Sequence, residues 1–203
     1  MVVAGAGVLS AIGVGVGLAV ATTRSGEGSP ALVAPDRSLR GDPQGKVTLV
    51  EFMDFQCPHC RTAVPLVKRA LDAVPKGVRF QVRFLPVVAP ISQGKALASL
   101  ALCARAQGDD AYWRFYDGLI EALEQPGRLD LPELAARLGV AWAPLQACHE
   151  RGDANRALEA DTAAARFYGL RGTPTFFLNG LELPLSELSN LATILRQAVA
   201  AAQ

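Results

Sequence analysis

"KVTLVEFMDFQCPHCRTAVPLVKRAL" (residues 46–71) is the stretch on which the fold turns. Residues 46–55 are rich in Val, Thr, Leu and Phe and end at two cysteines, which predicts a central strand. Pro58 suits the first helical turn, where its missing N–H costs nothing. Val64, Val67, Leu71 and Val74 then recur at three- and four-residue spacing, predicting a helix over 58–74 with one buried face. Pro65 is expected to kink it. Cys57 and Cys60 therefore stand where a strand hands over to a helix.

Outward from this unit, "PKG" (75–77) reads as a turn and "VRFQVRFLPV" (78–87) as a second strand. A helical stretch follows. Leu97, Leu100, Ala101 and Ala104 mark one helix, and the stripe from Tyr112 through Phe115, Tyr116, Leu119, Ile120 and Leu123 a second, with Asp109-Asp110 as its expected cap. Leu131, Leu134 and Leu138, then Leu145 with Cys148, then alanine-rich 154–168, mark three more. "TPTFFLNG" (173–180) returns to strand character with a turn at Asn179-Gly180, and 186–202 closes as a helix capped by Ser186. Strands alternating with helices imply a mixed α/β domain over 46–203, with a helical insertion at about 90–170 between the second and third core strands.

The N-terminal part differs. Val2 to Ala21 holds no charged residue and five glycines, long enough at about 20 residues to cross a bilayer. It ends in Ala19-Val20-Ala21, which fits a signal cleavage site. A cleaved signal peptide and a retained membrane anchor both stay open, and either makes the rest of the chain exported. Residues 22–45, rich in Gly, Ser and Pro without periodicity, read as a flexible linker. Twenty basic side chains against nineteen acidic ones leave a net charge of +1, so no basic surface calls for nucleic acid.

Two thiols three residues apart have several possible uses. A structural zinc site needs about four ligands; here Cys103, Cys148 and His149 are far from the close pair in sequence, and no metal is expected. Covalent haem needs a histidine directly after the second cysteine, where this chain has Arg61. A purely structural bridge over so short a loop removes little unfolded-state entropy. A redox role suits the spacing better: one thiolate attacks a disulfide, and the second resolves the mixed intermediate. At a helix start, unpaired N–H groups and the dipole stabilise a sulfur anion at Cys57, and protonated His59 adds positive charge. Such stabilisation favours the dithiol and makes the disulfide an oxidant. Residue preferences alone predict a trans Thr173-Pro174 bond.

"FQCPHC", followed by a helical insertion and then "GTPTFFLNG", resembles the DsbA-like family of thiol–disulfide oxidoreductases, on a thioredoxin-like fold. "QGDDAYWRFYDGL" (107–119) also resembles that family's insertion helix, and the likeness covers about residues 40–200. It implies that Cys57 is an exposed nucleophile, Cys60 its buried partner, and Pro58 and His59 the tuning residues between them. It further implies a cis Pro174 facing the cysteines, with the Thr173 backbone offered to an extended substrate strand. Glu51 lies where the family places a buried acid that relays a proton to Cys60; a surface residue at a strand end is the alternative. No cofactor is implied.

Cys103 and Cys148 fall on buried stripes, and an exported protein meets an oxidising environment, so a structural disulfide between them is expected. Two separate core thiols, or a second redox pair, remain as alternatives. The expected function is an exported, monomeric dithiol oxidase acting on reduced or unfolded exported proteins, with a quinone-linked membrane partner reoxidising it. The competing readings are a reductase or isomerase using the same cysteines, and a non-enzymatic thiol or metal-binding module.

Overall fold

The computed structural model describes residues 31–202 apart from 126 and 128; the segment read as a signal or anchor, residues 1–21, lies outside the described residues. Its sheet has the strand order β1-β3-β2-β4-β5. The central strand β2 (Val47–Met53) is buried at every position, because it lies between β3 (Val78–Phe84), parallel to it, and β4 (Thr175–Leu178), antiparallel. A parallel neighbour requires a crossover, and helix α1 (Pro58–Ala73) provides it. Asn179 at φ 50° and Gly180 at φ 87° form the tight turn from β4 into β5 (Leu181–Leu183), a conformation that favours these residue types.

Alternation along β2 sorts its side chains onto two faces. Val47, Leu49 and Met53 enter the larger core with α1, α7 (Leu191–Ala201) and the insertion, whereas Val50 and Phe52 enter a smaller core against α6 (Asn155–Phe167). Glu51, in step with Leu49 and Met53, therefore faces the larger core. The insertion between β3 and β4 runs through α2 (Ile91–Ala104), α3 (Asp109–Glu124), α4 (Leu131–Arg137), α5 (Trp142–Arg151) and α6. Cys103 of α2 and Cys148 of α5 are bonded, with Cα atoms 5.9 Å apart. The fold is a thioredoxin-like α/β fold with a mixed sheet and inserted helices.

Residues 31–45 correct the linker reading. Leu39–Gly41 form β1, antiparallel to β3 at the sheet edge. Ahead of it, Ala34 exchanges two hydrogen bonds of 2.7 Å with the Gln81 side chain. Arg37 and Arg83 both pair with the buried Asp161 of α6, at 3.0 and 2.7 Å. The Gly/Ser/Pro composition hid this, since a three-residue strand has no period to read, and its anchors lie far along the chain.

Two helix starts also differ. Gly108 at φ 107° precedes α3, while Asp109 inside the first turn accepts a 2.7 Å hydrogen bond from the Ser38 hydroxyl. Residues 185–190 form a tight 3-10 helix, so Ser186 caps nothing and α7 begins only at Leu191. Among the described residues, no helix is long and apolar enough to cross a membrane.

Candidate active site

Cys57 is the N-cap of α1, with extended backbone, and Pro58 opens the first turn. The loop into it is shaped by Asp54, which is 1% exposed. One carboxylate oxygen accepts from the Gln56 N–H at 3.0 Å, and the other from Val87 and Val88 N–H at 2.9 and 2.8 Å. The Cys57 N–H closes the turn on the Asp54 carbonyl at 3.0 Å. Asp54 was missed in the sequence, although Asp two residues before a turn amide is a known side-chain turn former. Arg61 was missed too: its guanidinium donates to the carbonyls of Phe55 and Gln56, both at 3.1 Å, and pairs with Glu124 of α3.

The two thiols are free and differ in setting. Cys57 is 6% exposed, less open than the expectation of an exposed nucleophile, because its Sγ donates to the Thr173 carbonyl at 3.2 Å. Cys60 is fully buried and its sulfur accepts from the Asp54 N–H at 3.4 Å. Burial pushes the Cys60 thiol well up, and the nearby Glu51 charge pushes it further. The Thr173 hydroxyl stands near enough to steady a Cys60 anion without forming a well-shaped hydrogen bond. Pro58 and His59 are exposed.

Thr173-Pro174 is cis, and so is Ala89-Pro90, to which the sequence offered no pointer. Pro174 is buried, and the Thr175 hydroxyl donates to the Gly172 carbonyl at 2.8 Å, closing the turn that brings Thr173 to Cys57. Glu51 sits in mid-strand, fully buried, and neither carboxylate oxygen has a hydrogen-bond partner among the described residues. Burial, and secondarily the charge at Cys57, raise it from an ordinary 4.5 to about 8. A carboxyl that is mostly neutral at pH 7 thus lies close to a buried thiol that resists ionisation. Cys103 and Cys148 are bonded to each other in the insertion, and the His149 ring shares a 2.9 Å hydrogen bond with the Ser99 hydroxyl. Among the described residues, no group of three or more His, Cys, Asp or Glu stands together as metal ligands.

A helix-start thiol, a buried second thiol and a cis-proline turn against the first sulfur make an arrangement suited to dithiol–disulfide exchange. The family model described as Thioredoxin matches residues 34–196. Among curated relatives, the Na(+)/H(+) antiporter NhaA 3 of Salinispora tropica is 35% identical over 150 residues, 73% of this chain. The chain spans only 22% of that antiporter's length. The thiol:disulfide interchange protein DsbA of Yersinia pestis is 27% identical over 182 residues, covering 85% of this chain and 82% of that protein. A solved thioredoxin-like oxidoreductase from Silicibacter pomeroyi DSS-3 is similar with a TM-score of 0.67 at 29% identity, covering 81% of this chain and 94% of that one. The chain belongs to the thioredoxin family.

Proposed function

We propose that this chain is an exported thiol–disulfide oxidoreductase that introduces disulfides into exported proteins through Cys57 and Cys60. The observation that carries the reading is the Cys57 sulfur at the start of a 16-residue helix, held 3.2 Å from the Thr173 carbonyl beside cis Pro174. In the oxidised protein a substrate thiolate attacks Cys57 Sγ, and the Cys57–Cys60 bond breaks with its electron pair passing to Cys60. Buried Cys60 cannot hold that charge and takes a proton, which neutral Glu51 is placed to supply. A second substrate thiolate then attacks the substrate sulfur of the mixed disulfide. The substrate leaves with a disulfide, and Cys57 departs as a thiolate at the start of α1.

The Thr173 carbonyl has a role in this sequence. While Cys57 carries a proton, its S–H occupies that oxygen. With Cys57 in a disulfide, to Cys60 or to substrate, no proton remains there, and the carbonyl is free to accept from the backbone of an extended client. Pro58 and His59, both exposed, are what a client or a reoxidising partner meets between the two sulfurs. The clients are reduced or unfolded exported proteins, a quinone-linked membrane partner restores the disulfide, and residues 1–21 serve as signal or anchor. Antiport is not part of the proposal, because the likeness is confined to about a fifth of the antiporter.

The test is the reduction potential of the Cys57–Cys60 couple, together with Cys57→Ser. A potential near about −120 mV supports a disulfide donor, and one near about −270 mV supports the rival reductase reading. Cys57→Ser is expected to abolish oxidation of a reduced model protein; full turnover in that variant defeats the assignment.

A further inference from the structure

We infer that Tyr116, carried by the helical insertion, is a positioning residue for the cysteine chemistry: its hydroxyl donates through one bridging water to the Glu51 carboxylate beneath the cysteine pair. The inference deepens the proposed function and rests on it for the proton step concerned.

Glu51 shares its face with Leu49 and Met53, and on β3 that face carries Phe80, Val82 and Phe84. Val82 is the register partner of Glu51, and Phe84 that of Met53, one pleat along. Tyr116 packs over this spot. Its ring centre lies 6.5 Å from that of Phe84 and 5.4 Å from that of Phe55, two residues before Cys57. The tyrosine is fully buried, and its hydroxyl has no partner among the described residues. Glu51, on the same side of the sheet, has two oxygens in the same condition. Buried polar atoms left unpaired are costly, and a water between two or more polar groups is a common remedy. A water shared by the tyrosine hydroxyl and the carboxylate satisfies both groups.

Glu51 is flanked in the sheet by Val82 and Phe176, both apolar, and from α1 it meets Cys57 and Cys60. Of the α3 tyrosines, Tyr116 feels the Glu51 charge more than any other charge, whereas for Tyr112 Arg37, Asp161 and Arg40 come first. The full charges on this side are paired with one another: Asp117 with Arg40 and Lys68, and Arg37 with Asp161.

The consequence concerns one step. When reduced protein reacts with oxidised glutathione, Cys57 carries glutathione as a mixed disulfide. Cys60 must then give up its proton, attack Cys57 Sγ and expel the glutathione thiolate. The Glu51 carboxylate accepts that proton. A Tyr116 hydroxyl bond favours the carboxylate and so offsets part of what burial does to Glu51.

The experiment follows decay of the mixed disulfide by acid quench and mass spectrometry from pH 6 to 10. The wild-type rate is expected to rise with pH through a midpoint below the value of about 8 that burial and a charged Cys57 give Glu51, since Cys57 is bonded and uncharged in this species. In Tyr116→Phe the midpoint moves up by about one pH unit, which is about a tenfold slower step at pH 7. Fluorotyrosine incorporated at position 116, a stronger donor on the same ring, moves it down. Glu51→Gln removes the pH step, and adding Tyr116→Phe to it changes nothing further. Isotope-edited infrared spectra of the protonated Glu51 carbonyl are expected to shift in Tyr116→Phe. That shift in a protein without exchange activity would sink the proposed function while leaving the contact standing. An unmoved midpoint with an unmoved carbonyl band overturns the inference, as does a slowing by Tyr116→Phe that persists in the Glu51→Gln background.

Discussion

Replacing Glu51 with Gln is expected to make the reduced protein more stable at alkaline pH, the reverse of what loss of a structural charge does. The carboxyl is fully buried with no hydrogen-bond partner among the described residues, and ionises only near pH 8, against 4.5 for an ordinary one. Between those values the folded chain holds a proton that the unfolded chain has released. Stability therefore falls as pH rises, at about 1.4 kcal/mol per pH unit. Over the whole interval the loss reaches about 5 kcal/mol, with about 3 kcal/mol of it incurred by pH 7. Below pH 4.5 both states are protonated and the effect vanishes; above 8 it is complete. Gln has nearly the same shape and no charge, so the variant lacks this slope. Urea unfolding of both proteins under reducing conditions at pH 5, 7 and 9 measures the gap. Repeating the series in Cys57→Ser removes the thiolate's smaller contribution and leaves that of burial. A gap that stays constant from pH 5 to 9, or one that narrows, would refute the reasoning.

Removing the insertion disulfide by Cys103→Ala with Cys148→Ala is expected to lower stability by about 4 kcal/mol, given its 45-residue separation, and to leave exchange at Cys57 intact. Non-reducing urea unfolding and a turnover assay check the two halves separately. Asp161→Asn leaves Arg37 and Arg83 buried without their shared carboxylate, at a cost of about 3–5 kcal/mol. The thermal midpoint should fall by roughly 10 °C, and the N-terminal strap should become sensitive to protease. An unchanged midpoint would show that the pair is not what holds residues 31–37 down.

What the sequence determined by itself is what one element reveals about its own faces. Residues 46–55 read as a core strand because Val, Leu, Phe and Met dominate them, and the valine and leucine spacing after Cys60 admits one helix face. Both thiols therefore fall at a helix start, and the site's centre was legible from that alone. The tertiary structure decided who meets whom. Nothing near Gly, Ser and Pro in residues 22–45 announces that Arg37 will find Asp161, 124 positions later. The Tyr116 stripe shows a core face without showing that one hydroxyl ends up beneath the cysteines. For Glu51 only the family resemblance pointed to a buried acid over a strand-end surface residue, since a single charge in an apolar strand does not say which face is covered. At an X–Pro bond the local preference is only about 0.5–1 kcal/mol, too small for the sequence to choose the isomer at Pro90 or Pro174. Periodicity is a property of neighbours along the chain; the proton chemistry of this site depends on neighbours across the core, and packing alone selects those.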